Sequence, residues 1–464
     1  MKLFGDDVKR IHFIGIGGVG MSAIAWILLQ KGCNVSGSDM SENNMTRRLA
    51  HHGAKIYKDH NAENIQDGDL VVTSTAIKSD NPELIQANAM GLPIWRRAKA
   101  LAAIMSSGTS IAVAGTHGKT TTTSMLTLVF EKAGLNPTSL IGGELNDIGG
   151  NAKLGTGKYI IAEADESDGS FLEMSPDMII ITNVEADHLD YYKNYEEIET
   201  IFSEFINKMS PNGLAVVCVD NEGVRNVVAK NKDKRFLTYG IKHSKADLVA
   251  DKITSSGMGS EFDVIYKAKN LGRIAISVPG QHNVLNSLGV IGIALNCGLD
   301  FEKIKKVIKE YKGVCRRFQI KGNVNDVCVV DDYAHHPSEI MATLNAAKNC
   351  KTTKDSRIIC IFQPHRYSRT FFLADQFGAA FSDADMVIIT DVYSAGEAPI
   401  ENVSGETIFN KLTKKSNGNT DHYIPILKDI PQFLERNVKR GDMVITLGAG
   451  NVWQVGDELM KLLV

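Results

Sequence analysis

The sequence has no apolar run approaching the roughly 18 residues needed to cross a membrane. It also lacks a strong charge balance: 54 acidic side chains face 51 lysines and arginines, a net of -3. That excludes the basic field of a nucleic-acid binder or of a protein held on an anionic membrane surface. Cysteine is sparse and unpatterned, seven residues with no Cys-x-x-Cys pair. An odd, scattered set argues against a disulfide frame or a zinc ribbon and points to reduced thiols in a cytoplasm. The opening MKLFGDDVKR is charged within ten residues and has no apolar signal core. No segment repeats at solenoid length.

What is present is ordinary in bulk and specific in detail. A hydrophobic fraction of 43% suits a globular chain, and 464 residues allow about three domains. Short apolar runs alternate with helical patterns, the signature of βαβ units and parallel sheets. Three blocks are expected, at 1–106, 107–313 and 314–464. The first holds strands IHFIGI, CNVSGSD and DLVVTST and the helix MSAIAWILLQKG. The second opens on strand SIAVAG, continues through helix TTTSMLTLVFEKAG, and holds strands YIIAEA, MIIITNV and GLAVVCV. Between 250 and 280 the pattern changes to antiparallel strands and turns. The third holds strands VCVVDDY, RIICIFQ, MVIITDV and MVITLGAG. The polar stretch TKKSNGNT, 413–420, reads as a surface loop.

Residues 14–21, IGIGGVGM, follow a strand and open a helix, with Gly15, Gly17, Gly18 and Gly20 in the turn. Asp39 ends the next strand, after Ser38. This is the dinucleotide-binding fingerprint in its proper context. Its glycines let backbone approach a diphosphate, and the helix start supplies N–H donors and a positive dipole. The pattern leaves open which diphosphate binds; NAD and any other nucleotide diphosphate satisfy the same physics.

A second glycine turn, GTHGKT at 115–120, also lies between a strand and a helix. A phosphate loop usually has four residues between its glycines, and Gly115 and Gly118 have two. Backbone N–H groups of Gly115, Thr116, His117, Gly118 and Thr121 would ring phosphates, Lys119 would reach the terminal ones, and the Thr120 hydroxyl would bind Mg2+. The alternative is a surface turn with a solvated lysine. Two later strands end on polar clusters, Glu163 in EADESD and Asn183, Glu185 and His188 in TNVEADHLD. Carboxyl ends of parallel strands share one edge, where ligands bind. Oxygen ligands such as Thr120 and Glu163 suit magnesium, with His188 completing a second metal position.

Together HFIGIGGVGM, GTHGKTTTT, EADESD, TNVEADHLDYY, PGQHNVLN, RRFQ, DDYAHHPSE and QPHRYSRT resemble the Mur ligases, in order and across all three blocks. The resemblance implies three α/β domains: a Rossmann-like one for the UDP part of a sugar nucleotide, a central ATPase-like one of the phosphate-loop kind with a parallel sheet, and a Rossmann-like α/β one that receives an amino acid. It implies that the short loop holds ATP and that the first glycine turn holds UDP. Lys119 would then grip the terminal phosphates, and Thr120, Glu163 and His188 would serve Mg2+. Asn283 would meet the adenine, with His282 and Asn286 nearby. Arg316 or Arg317 would approach the γ-phosphate and Asp332 the ribose. His335, His336, Arg366 and Arg369 would hold the amino acid and the sugar acid.

Family members that add later amino acids carry a carbamylated lysine about fifteen residues beyond the metal histidine. Here that place, around Ser203, has no lysine until Lys208. The branch that joins L-alanine to UDP-N-acetylmuramate is likewise without it, which supports that branch within the resemblance; a cytoplasmic protein, monomer or homodimer, is expected.

Overall fold

The computed structural model describes residues 10–66, 69–187, 191–351, 353, 355–412 and 421–464. They form two compact units. One comprises the described residues within 1–249, 265–269 and 286–307, the other those within 250–264, 270–285 and 308–464. His188 and the loop 413–420 lie outside the described residues.

The first unit holds a five-stranded parallel sheet. Its central strand Arg10–Ile14 lies between Asn34–Asp39 and Asp69–Thr73. The chain leaves Arg10–Ile14 at the point where strand order reverses, the usual ligand crevice of an open α/β sheet. Helix Val19–Gln30 follows and buries Met21, Ile24, Ala25, Ile27 and Leu28. Asn151 reaches this helix, donating to the Val19 carbonyl (2.7 Å) and to Ser22 Oγ (3.1 Å). That tie helps explain why the position expected as a domain boundary, 106/107, falls inside one unit.

The unit's second sheet centres on Thr109–Ala114, paired in parallel with Tyr159–Glu163 on one side and Met178–Ile181 on the other. Leu214–Cys218 and Phe236–Gly240 extend it in parallel. The three central strands are apolar and buried almost without interruption, as strands covered on both faces must be.

In the second unit, strands Leu248–Ser256, Gly259–Tyr266 and Lys269–Ile276 are neighbours joined by two-residue turns, connections that only antiparallel pairing allows. The first strand begins, and the second ends, in the other unit. A six-stranded sheet carries the rest. Val327–Asp332, Met443–Leu447, Ile358–Phe362 and Met386–Ile389 run parallel in that spatial order, and Gln319–Val324 pairs antiparallel at one edge. Among the described residues, no helix is long and apolar enough to cross a membrane.

Candidate active site

The first glycine turn is braced from behind. Gly15 has φ 82°, and the N–H groups of Gly15 and Ile16 donate to the Ser38 carbonyl. Gly17 N–H donates to Asp39 Oδ2 (2.8 Å), and Asn43 Nδ2 donates to the Gly17 carbonyl (3.0 Å). The helix then begins at Gly18 with no side-chain cap among the described residues, which leaves its first N–H groups facing outward for an anion.

Ser38, expected with Asp39 at the sugar nucleotide, turns its side chain the other way. Alternation along a strand puts neighbouring side chains on opposite faces. Ser38 is fully buried, and its hydroxyl bonds to Glu83 and His60. Only its backbone serves the turn. Glu83, from the first turn of helix Pro82–Ala89, is itself fully buried and also accepts from Asn64 Nδ2 (2.7 Å), with His12 at 3.4 Å. Burial would raise its carboxyl, but hydrogen bonds from His12, Ser38 and Asn64 outweigh that and hold it below the ordinary value.

The second glycine turn leaves the end of Thr109–Ala114 and is held by the two neighbouring strand ends. Thr182 Oγ1 (2.6 Å) and Asn183 Nδ2 (3.1 Å) donate to the His117 carbonyl, and Asn183 Oδ1 accepts from His117 N (2.7 Å). Thr116 Oγ1 accepts from Glu185 N (2.9 Å). Gly115 has φ 133° and Gly118 φ 83°. A Cβ on Gly118 would stand 2.7 Å from Asn286 Oδ1. Helix Lys119–Lys132 starts here, also without a side-chain cap among the described residues. Thr120 Oγ1 donates to Glu163 Oε1 (3.1 Å), and Glu163 Oε2 accepts from Gly142 N (2.9 Å). A hydroxyl and a carboxylate side by side form an oxygen donor pair suited to Mg2+.

Lys119 points into this turn. Its ammonium donates to the carbonyls of Gly115 (2.6 Å) and Thr116 (3.1 Å) and to Glu166 Oε1 (2.8 Å). Burial alone would lower its pKa; Glu166, Asp165 and Glu163 outweigh this and hold it above the ordinary value, so it stays charged. Burial pushes Glu166 up to about 7, with Lys119 opposing. Neither Glu166 nor Arg97 stood out in the sequence, because their partners are 47 and 68 residues away.

Arg97 NH2 donates to Asp165 Oδ2 (2.9 Å). Burial would raise Asp165, yet Arg97 and then Lys119 bring it down to about 2. A carboxyl with a depressed folded pKa adds stability above its unfolded value near 3.9, and that stability disappears as the pH falls towards 2. The melting-temperature gap between the wild type and Arg97→Met should therefore be constant above pH 5 and close between pH 4 and 2. Scanning calorimetry across that range checks this. The gap should be small throughout, since 38% of the Asp165 side chain is exposed and solvent screens the pair. A gap unchanged down to pH 2 would contradict the assignment.

In the second unit the polar residues again gather at one sheet edge. Arg316, at φ 62°, donates through Nε to Asp331 Oδ2 (3.0 Å) and through NH2 to the Gly448 carbonyl (2.7 Å). Arg317 lies 3.6 Å from Glu339 Oε1, with its guanidinium 5.2 Å from the Tyr333 ring centroid. Asp332, expected at a ribose, is buried and accepts from Ala334 N (2.7 Å), Phe318 N (2.8 Å) and Thr343 Oγ1 (3.3 Å). The structure uses it as a brace for the loop. Burial raises its pKa to about 6, with Arg317 pulling it down.

The paired histidines have different work. His336 is buried and caps helix Pro337–Asn349, its ring accepting from Ser338 N. His335 sets Nδ1 3.0 Å from the Tyr333 carbonyl. A carbonyl only accepts, so Nδ1 carries a hydrogen. His365 stacks on Tyr393 and lies beside His335, ring centroids 5.6 Å apart. Burial, then His335, Arg369, Arg366 and Arg316, push it down to about 3, so it stays neutral. Arg369 NH1 is 3.4 Å from His365 Nδ1, and Arg366 NH1 is 3.8 Å from Glu397. His282 is exposed in the first turn of Gln281–Asn296, while Asn283 is buried and donates to the Pro279 carbonyl (2.7 Å).

Three family models match the chain: "Mur ligase family, catalytic domain" over residues 10–109, "Mur ligase middle domain" over 113–294, and "Mur ligase, glutamate ligase domain" over 316–450. The chain is similar to the UDP-N-acetylmuramate--L-alanine ligase of Pelotomaculum thermopropionicum, 50% identical over 99% of this chain and 98% of that one. It is 47% identical to the ligase of the same name from Dictyoglomus turgidum, over 98% and 97% of the two chains. Among solved structures it is similar to the UDP-N-acetylmuramate-alanine ligase of Thermotoga maritima, with a TM-score of 0.82 and 32% identity over 97% of this chain and 98% of that one.

Proposed function

The chain belongs to the Mur ligase family, and from that premise we propose that it joins L-alanine to the carboxylate of UDP-N-acetylmuramate at the expense of ATP. That is the first amino-acid addition of peptidoglycan synthesis, and the proposal places it in the cytoplasm, where ATP and the sugar nucleotide are available. The observation that carries the reading is the uncapped turn around Lys119, with Thr120 and Glu163 beside it.

A carboxylate is a poor acyl donor because oxide would have to leave. Attack of a carboxylate oxygen on the γ-phosphorus releases ADP and gives an acyl phosphate. The amine of alanine then attacks the acyl carbon, and inorganic phosphate leaves with the C–O bond electrons. Lys119 is placed to neutralise charge on the transferring group. Thr120 and Glu163 would hold Mg2+, which supplies further charge neutralisation when bound. Arg316 or Arg317 would approach the phosphoryl group; Arg316 bonds to Asp331 and Gly448, and Arg317 lies beside Glu339. The alanine ammonium must lose a proton, and His335, oriented by its Nδ1 contact with the Tyr333 carbonyl, is the residue proposed to take it. Arg366 and Arg369 remain the candidates for the two substrate carboxylates.

At the position where relatives carry the modified lysine, Ser203 Oγ accepts from Asn231 Nδ2. Its side chain is spent between helices, so the proposal needs no carbamylated group there.

ADP release measured over a panel of amino acids, with and without UDP-N-acetylmuramate, tests the reading. ADP should appear with L-alanine only when the sugar nucleotide is present. Glycine should be a poorer substrate by roughly tenfold or more, since one methyl separates the two. Release independent of the sugar nucleotide would overturn the proposal.

The first glycine turn should bind UDP-N-acetylmuramate and not NAD. A Cβ on Gly17 would sit 2.7 Å from Asp39 Oδ2 and 2.9 Å from Asn43 Nδ2. Gly17→Ala should therefore weaken sugar-nucleotide binding, while NAD titrated into the wild type should give no heat in calorimetry. Tight NAD binding, or unchanged affinity in the variant, would reverse this assignment.

A further inference from the structure

Lys119 has three N–H donors and the structure spends all of them, on Gly115, Thr116 and Glu166. The ammonium therefore cannot take a phosphate oxygen without surrendering a partner. The two loop carbonyls belong to the turn that would wrap the phosphates. Glu166 is the charged partner, and it comes from a different segment, the loop after strand Tyr159–Glu163.

Glu166 is firmly placed. Its side chain is 3% exposed. The Tyr192 hydroxyl donates to its carbonyl, and the neighbouring Asp165 is turned onto Arg97. The carboxylate is thus built into the loop at a fixed reach from the ammonium.

We propose that Glu166 is a positioning residue for the phosphate-gripping lysine, holding Lys119 until ATP binds and then yielding it to the terminal phosphates. The proposal rests on the reading that GTHGKT holds ATP. Part of the binding energy of ATP is then used to displace this carboxylate. Glu166 would act through Lys119 and would not touch the nucleotide.

The test is a double-mutant cycle on ATP affinity, with Mg2+ present and read by calorimetry. Wild type, Glu166→Gln, Lys119→Ala and the double variant are titrated to saturation. Glu166→Gln should tighten ATP binding by about tenfold, within the range of coupling seen for charges in contact. In the Lys119→Ala background the same substitution should leave the Kd unchanged. Equal tightening in both backgrounds would mean plain charge repulsion of the phosphates and would overturn the proposal, as would no tightening at all. Glu166→Asp keeps the charge but draws it back from the ammonium, so it too should tighten binding, and it serves if the glutamine variant fails to fold. ATP binding by the wild type separates the two readings: without it the phosphate-loop reading fails, and with it a flat cycle removes only the role of Glu166.

Discussion

Lys119→Ala should lower kcat by roughly a thousandfold or more, the scale for removing a group that neutralises charge on a transferring phosphoryl. The loss has a specific cause. Lys119 stands at the first position of helix Lys119–Lys132, where the helix start and the turn carbonyls aim it inward. Nothing else among the turn residues 115–120 carries a permanent positive charge. The fold should survive. Alanine is a good helix former, and burial already pushes Glu166 up to about 7, so protonating it near neutral pH costs little. ADP release and circular dichroism on the same preparation separate loss of chemistry from loss of structure. Near-normal turnover in a folded variant would remove the turn from the mechanism.

Gly115→Ala should cost about a hundredfold in ATP affinity, near 2.7 kcal/mol. Gly115 has φ 133°, a conformation that is essentially glycine's alone and costs any other residue about 1–3 kcal/mol. Space is also lacking, since a Cβ there would stand 2.1 Å from Thr182 Oγ1 and 3.0 Å from the Asn183 carbonyl. Those two residues hold the His117 end of the turn. The substitution therefore pushes the turn off the strand ends that shape it. Calorimetric titration with ATP and Mg2+ reads the effect, and unchanged affinity would show that the turn does not bind phosphate in this shape.

The parts of the site that were legible in the sequence are those made by neighbours along the chain. Gly15, Gly17 and Gly20 announce a turn by spacing alone, and Lys119 and Thr120 follow Gly118 directly. Glu163 and Asn183 were legible because apolar runs mark strands, and parallel strands place their carboxyl ends on one edge. What stayed hidden depends on contacts across the chain. Glu166 reads as one acid among four in EADESD, and only the fold brings it to Lys119. Glu83 looks like a solvated charge in a helix first turn, but the first sheet buries it among His12, Ser38 and Asn64. Ser38 and Asp39 were read together because they are adjacent, while strand alternation sends one into that buried group and the other to the glycine turn. His336 stands beside His335 in the sequence, and its work as cap of the helix that Pro337 starts shows only in the fold.

In the proposed function, ATP activates the sugar acid as an acyl phosphate that alanine then attacks. Following oxygen tests it most directly. UDP-N-acetylmuramate labelled with heavy oxygen in its carboxylate is incubated with the protein, ATP, Mg2+ and L-alanine, and the phosphate released is examined by mass spectrometry. One labelled oxygen in each inorganic phosphate, together with formation of UDP-N-acetylmuramoyl-L-alanine, is the result the account expects. Unlabelled phosphate, or phosphate released with no alanine-bearing product, would contradict it.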